Sequence, residues 1–199
     1  MKNDEPKRIA IIPVKMMLES KLYDRVFSTM EKVAANGRKV HRYLKSYIKY
    51  DSENRRFVAS NGATLMVYEN RYLEELPQGD AYYVYEDGLL QQVEFSPKIQ
   101  TYSNYEQWFD IEKGEAMVKV KGYEETNGEA LFALTNNATH KGVFLAGRQM
   151  QLLTKIGRDL LDGTMHVWRK GELNGCTFNS DSISGLSVTI AGIYKPWED

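Results

Sequence analysis

The side chains best suited to nucleophilic or metal chemistry are three histidines, His41, His140 and His166, and one cysteine, Cys176. A zinc site needs several nitrogen, sulfur or oxygen donors converging on one point, and it usually takes two of them from positions close in sequence. None of the three histidines pairs with another His, a Cys or a carboxylate at such a spacing. The patterns GxSxG, GxGxxG, HExxH and CxxC and the P-loop are also missing, so the common arrangements for an activated nucleophile, a phosphate cradle or a hydrolytic metal are not written here. Carboxylates are plentiful between Glu69 and Glu129, but their spacing selects no acid–base pair. Cys176, beside Gly175, reads as a packed thiol. No catalytic residue, metal or cofactor is expected.

A different chemistry, loose attraction for phosphate, is suggested by the basic residues. Lys21, Arg25, Ser28 and Lys32 recur at spacings of four, three and four. At about 3.6 residues per turn such positions share one helix face. Arg148, Gln151, Lys155 and Arg158 repeat the arrangement at spacings of three, four and three. One such stripe would be an ordinary solvated face, whereas two with little acid on them suit a surface that meets a polyanion. Asp24 and Asp159 stand at the stripe edges and reduce the positive potential there.

Each stripe needs a helix with an apolar opposite side. From about Lys15 to Asn36, Leu22, Val26, Met30 and Val33 recur at threes and fours, with Tyr23, Phe27 and Ala34 widening the apolar face. Asn36-Gly37 is expected to stop this helix. A second helix is predicted from about Arg148 to Leu161, with Leu153, Ile156 and Leu160 inward and Asp162-Gly163 as its stop.

The remaining sequence reads as antiparallel strands, because β-branched and aromatic residues cluster between turn signals. Arg8–Ile12 is a short strand closed by Pro13, and Val40–Tyr50 alternates as a strand should. After a turn at Asp51–Asn54, Arg56–Ser60 and Thr64–Glu69 face each other across Asn61-Gly62, a strong hairpin signal. Glu86-Asp87-Gly88 joins Ala81–Tyr85 to Leu89–Phe95. Further strands are expected at Glu115–Tyr123, Glu129–Thr135, Thr164–Arg169, Thr177–Asn179 and Leu186–Tyr194. The class is therefore α+β. Tyr82, Tyr83, Tyr85, Tyr102, Tyr105, Trp108 and Phe109 fall in its acidic middle, more as core than as a binding surface.

The net charge of −1 conceals a strong asymmetry along the chain. Residues 1–60 carry 14 Lys/Arg against 7 Asp/Glu, residues 61–140 carry 5 against 14, and residues 141–199 carry 7 against 6. If folding brings the outer segments together, one surface is positive while the molecule stays near neutral. The 42% hydrophobic and 27% charged composition is that of a globular protein without a membrane span. The polar Met1–Pro6 stretch and the lone cysteine lead to the expectation of a cytoplasmic protein.

At the first hairpin the sequence becomes specific. The stretch Arg55-Arg56-Phe57-Val58-Ala59-Ser60-Asn61-Gly62-Ala63-Thr64-Leu65-Met66 resembles the segment of bacterial DNA polymerase sliding clamps, the β subunit, in which RFVAT runs through an Asp-Gly turn into RLA. Ser103-Asn104-Tyr105-Glu106-Gln107 is similar to the clamp's Pro-(Asp/Asn)-Tyr segment. Phe144–Leu161, followed by strands to Ile193-Tyr194-Lys195-Pro196, is similar to its closing helix and final sheet. About half the chain is covered.

The resemblance implies a clamp fold, with two helices lining a DNA channel and antiparallel sheets outside. It also implies a non-enzymatic protein that holds duplex DNA by its phosphates and serves replication as a processivity factor, with replication proteins and copies of itself as partners. Lys21, Arg25, Lys32, Arg148, Lys155 and Arg158 would then face phosphate, without sequence preference and with strong salt sensitivity. The family's peptide-docking pocket uses His-Arg-Leu after the turn glycine. Here Ala63 and Thr64 take the first two places and Leu65 keeps the third, so Ser60, Gly62 and Leu65 are the residues carried over for partner binding.

Bacterial β subunits have three such domains, and 199 residues are too few for three. The expectation is one clamp-like domain over 1–199 with a strand-rich acidic insertion at about 70–135. The alternative is two trimmed domains, 1–110 and 111–199. The competing function is a protein-interaction module that uses an acidic, aromatic surface on the same fold.

Overall fold

The computed structural model describes residues 8–13, 20–40, 46–69, 79–97, 99, 105, 119–124, 130–135, 142–146, 149, 151–152, 155–156, 166–169, 175–179, 183 and 185–191. The chain divides into two compact units, Met1–Ser103 and Asn104–Asp199.

Among the described residues of the first unit, one helix, α1 (Ser20–Val40), lies across six antiparallel strands. The strands are β1 (Arg8–Pro13), β2 (Ile48–Asp51), β3 (Arg56–Ser60), β4 (Thr64–Glu69), β5 (Ala81–Glu86) and β6 (Leu89–Val93). Their order is β1-β6-β5-β2-β3-β4, with every neighbour antiparallel. Both predicted hairpins form where expected. In the second, Asp87 and Gly88 take φ of 52° and 80°, the pair of positive angles that a two-residue type I′ turn requires. The turn after β2 spans residues 52–55, and Asp51 holds it by accepting from the Asn54 backbone N–H at 3.2 Å and side-chain amide at 2.9 Å.

The core of this unit is aromatic. Phe27 of α1 meets Phe57 edge-on at 4.9 Å between ring centroids and Tyr68 edge-on at 6.1 Å, and it stacks on Tyr85 at 5.8 Å. Phe57 and Tyr68 are cross-strand partners, so one helical ring fills the groove between two paired residues. Val26, Phe27, Met30 and Ala34 are wholly buried, and Leu22 is half-buried. Tyr82, Tyr83, Tyr85 and Tyr105 are buried too, as expected of core residues. Tyr102, Trp108 and Phe109 lie outside the described residues. On the sheet face that Tyr82 shares with Lys49, Tyr47, Tyr82, Val93 and Ile99 form a second apolar cluster.

Two expectations at the ends of α1 are corrected. The helix does not stop at Asn36-Gly37 but continues to Val40. Gly37 is there for close approach: a Cβ on it would stand 2.8 Å from the Ser60 carbonyl oxygen and 2.9 Å from both Cβ and Oγ of Ser46. The hydroxyl of Ser46 donates to that same Ser60 carbonyl at 2.9 Å. Helix and sheet thus approach so closely that no side chain fits between them. The strand expected at Val40–Tyr50 is shorter, because Val40 closes the helix and pairing begins at Ile48; residues 41–45 lie outside the described set.

In the second unit β7 (Lys119–Glu124), β8 (Ala130–Thr135) and β9 (Gly142–Ala146) form an antiparallel sheet. A separate antiparallel ladder runs through β10 (His166–Arg169), β11 (Gly175–Asn179) and β12 (Leu186–Ala191). β9 is an addition to the sequence-based assignment, which had no element there. Of the predicted helix from Arg148 to Leu161, residues 149, 151–152 and 155–156 are described, and they are helical. Of the segment expected as an insertion, β5 and β6 stand between β2 and β1 in the first sheet, and β7 and β8 form a hairpin in the second unit.

Candidate nucleic-acid interface

The basic face of α1 follows from how the helix is anchored. With Val26, Phe27, Met30, Val33, Ala34 and Gly37 pressed onto the sheet, the side about 180° away faces water. Lys21, Arg25 and Lys32 are exposed on that side and Ser28 is half-buried. None of the three cations makes an ion pair among the described residues. Their placement carries a local cost. Lys21 and Arg25 repel each other across one turn, and the first turn, which favours negative charge, contains no acidic residue.

The acidic residues of the helix are held differently. Asp24 accepts a hydrogen bond from the Tyr85 hydroxyl, and Glu31 forms an ion pair with Arg38. Glu31 also accepts from the Tyr85 backbone N–H at 3.1 Å. Arg38 donates onward to the Ser46 carbonyl at 2.8 Å, and its guanidinium lies 5.0 Å from the centroid of the Tyr47 ring. Burial, then the hydrogen bond and charge of Asp24, push the Tyr85 phenol well above its ordinary range. Between this side of α1 and the β5–β6 turn runs an open groove of about 840 Å³, with Lys21, Ser28 and Lys32 on the helix and Glu86, Asp87 and Gly88 on the turn. Glu86 is paired with Arg8 at 2.8 Å.

In the second unit Lys155 and Gln151 are exposed at helical positions, while Ile156 is buried. The expected separation of polar and apolar sides holds at these residues. Arg148, Arg158, Leu153 and Leu160 lie outside the described residues.

The three residues carried over for partner binding sit together at the β3–β4 hairpin. Ser60 and Leu65 are cross-strand partners and each is only 9% exposed. Gly62 is exposed at the tip with φ of 87°. The loop is closed from within: Asn61 Oδ1 accepts from the backbone N–H of Ala63 at 3.0 Å and of Thr64 at 2.7 Å, and Ser60 Oγ accepts from Gly62 at 3.0 Å.

The sequence places Tyr85 among core aromatic residues and gives Arg38 no role, and neither is expected to hold the acids of α1. Their partners lie up to 61 positions away, and periodicity along one element carries no sign of such pairs. Among the described residues no cluster of three or more His, Cys, Asp or Glu could hold a metal ion, and no helix is long and apolar enough to cross a membrane.

No protein-family model matches the sequence, and no curated protein matches it. Among solved structures the chain is similar to the DNA polymerase III β chain of Streptococcus pneumoniae, with a TM-score of 0.53 at 7% identity, over 98% of this chain and 67% of that one. It is also similar to the DNA polymerase III β subunit of Borrelia burgdorferi, with a TM-score of 0.52 at 9% identity, over 98% of this chain and 66% of that one. The chain spans about two thirds of the length of these proteins. At such identities the likeness is one of fold, and the fold is the α+β sliding-clamp type.

Proposed function

We propose that this protein is a non-enzymatic, clamp-type factor that associates with duplex DNA through the phosphate backbone and supports replication processivity in the cytoplasm. The observation that carries the proposal is the exposed row Lys21, Arg25 and Lys32, free of ion pairs among the described residues, on the only long helix described in a clamp-type fold. A helix face that merely solubilised the chain would gain from interspersed acid; this one keeps repulsive neighbours. Lys155, and with it Arg148 and Arg158, extend the same role to the second unit. Each of the two units is a trimmed clamp domain, in keeping with a chain two thirds as long as the clamp chains it matches. The hairpin tip at Gly62, with Ser60 and Leu65 beneath it, is where a replication partner docks. Two such domains encircle DNA only as part of an oligomer, whose subunits close the ring.

Duplex binding followed by fluorescence anisotropy across a salt series tests this. Lys21→Gln, Arg25→Gln and Lys32→Gln together should weaken binding and lower the slope of log affinity against log salt by about 0.9 for each phosphate no longer neutralised. Sequence preference should not change, since phosphate recognition reads no bases. The triple variant should be no less stable in urea than the wild type, and up to about 0.5 kcal/mol more stable once the helical repulsion is gone. A wild-type protein with no salt-dependent affinity for duplex DNA at low ionic strength overturns the proposal.

A further inference from the structure

Four positions of α1, Lys21, Arg25, Lys32 and Lys39, carry exposed cations, while two carry carboxylates, Asp24 and Glu31, seven residues apart and so on one side of the helix. Lys21 stands three positions before Asp24, a spacing at which intrahelical ion pairs form. Among the described residues Asp24 makes no such pair and is instead bonded to the hydroxyl of Tyr85. Glu31 is held by the backbone N–H of the same Tyr85 and by Arg38. Tyr85 itself cannot move aside: it is 6% exposed, stacked on Phe27 and paired across the strands with Leu90. One residue of β5 therefore takes hold of both acids of the helix.

From this arrangement we infer that Tyr85 is a positioning residue for polyanion binding, one that draws the Asp24 and Glu31 carboxylates toward β5 and leaves Lys21, Arg25 and Lys32 as a continuous positive row. The inference rests on the phosphate-facing reading of α1. Without the hydroxyl, the Asp24 carboxylate swings to Lys21, one turn before it, where it neutralises a cation that would otherwise meet phosphate. Removing the hydroxyl alone leaves the ring, its stacking and the backbone bond to Glu31 in place, so the effect isolates Asp24.

The test is a double-mutant cycle on duplex affinity at low salt, with Tyr85→Phe, Asp24→Asn and the double variant. One unit charge moved to about 7 Å from a phosphate in water alters affinity by about two- to threefold. Tyr85→Phe should therefore weaken binding by that factor, and the loss should vanish in the Asp24→Asn background, where no carboxylate remains to move. Asp24→Glu, a surface change that keeps the charge but carries it one methylene past the hydroxyl, should weaken binding in the same direction. It answers the question even if Tyr85→Phe does not fold. An equal loss on Tyr85→Phe with and without Asp24 would assign Tyr85 a merely structural part and overturn the inference, as would unchanged affinity in both Tyr85→Phe and Asp24→Glu. Those results leave wild-type DNA binding intact, whereas absence of wild-type binding overturns the proposed function and this inference together.

Discussion

Gly37 shows how one residue type can carry opposite meanings. In the sequence, Asn36-Gly37 has the form of a helix stop, yet the glycine sits inside α1 against the Ser60 carbonyl. A stop and a close approach both call for a missing side chain, and only the partner 23 positions on, in β3, separates them. Gly37→Ala sets two effects against each other. Alanine gains about 1 kcal/mol of helix propensity, but its Cβ would lie 2.8 Å from a backbone oxygen that cannot rotate away, and overpacking of that kind costs about 1–3 kcal/mol. Urea denaturation should show a net loss of up to about 2 kcal/mol; a more stable variant would mean that the helix lifts off the sheet at no cost. Lys49 and Asp80, paired at 2.9 Å, give a pH dependence. Burial alone would raise the Asp80 pKa, but hydrogen bonds from Lys49 and Ser52 outweigh it and hold the carboxyl below its usual range. Burial likewise opposes the charge on Lys49, and Asp80 outweighs it, so the ammonium titrates above its usual range. The contribution of Asp80 is therefore present above pH 3.8 and lost as pH falls through the lowered value. That of Lys49 is complete below pH 10.5 and lost as pH rises beyond it. Asp80 is half exposed, so Asp80→Asn should cost no more than about 1 kcal/mol at neutral pH, and the difference in Tm from the wild type should shrink in acid below that window.

At the scale of elements, what could be read was what is local. Both hairpins of the first unit announce themselves through a turn signal flanked by alternating residues, and each strand of β3–β4 begins and ends where the sequence placed it. The apolar and basic sides of α1 were equally plain, because a period of about 3.6 residues is written in the side chains themselves. The boundaries were less so. Val40 fits a strand by alternation, but it follows Arg38 and Lys39, whose charges suit the last turn of a helix. β9, Gly142–Ala146, is a five-residue apolar run just before a helical pattern and has no element in the sequence-based assignment. A run that short is equally at home in a buried strand or a helix, and pairing with β8 decides. The clamping of Asp24 and Glu31 by β5 had no local trace at all.

For the whole molecule, the sequence reached the clamp fold through one hairpin and two echoes, covering about half the chain. What it could not weigh was size: one large domain and two small ones have the same composition, and only the way distant segments pack together separates Met1–Ser103 from Asn104–Asp199. If a ring is the working form, light scattering at micromolar concentration should give a closed oligomer. A strict monomer, with and without duplex DNA, would leave open-sided binding in place of encirclement. The buried phenols of the first unit bear on how that molecule fails. The Tyr83 hydroxyl has no hydrogen-bond partner among the described residues. Burial first, then the charge of Tyr50 for Tyr83 and the hydrogen bond and charge of Asp24 for Tyr85, keeps both phenols protonated far beyond the ordinary phenol range. An unfolded chain releases those protons near pH 10, so above that point every unfolding event exports them and stability declines as alkalinity rises. The aromatic centre that packs helix against sheet therefore makes alkali a cooperative denaturant: these two tyrosines stay dark in an alkaline titration until the sheet opens.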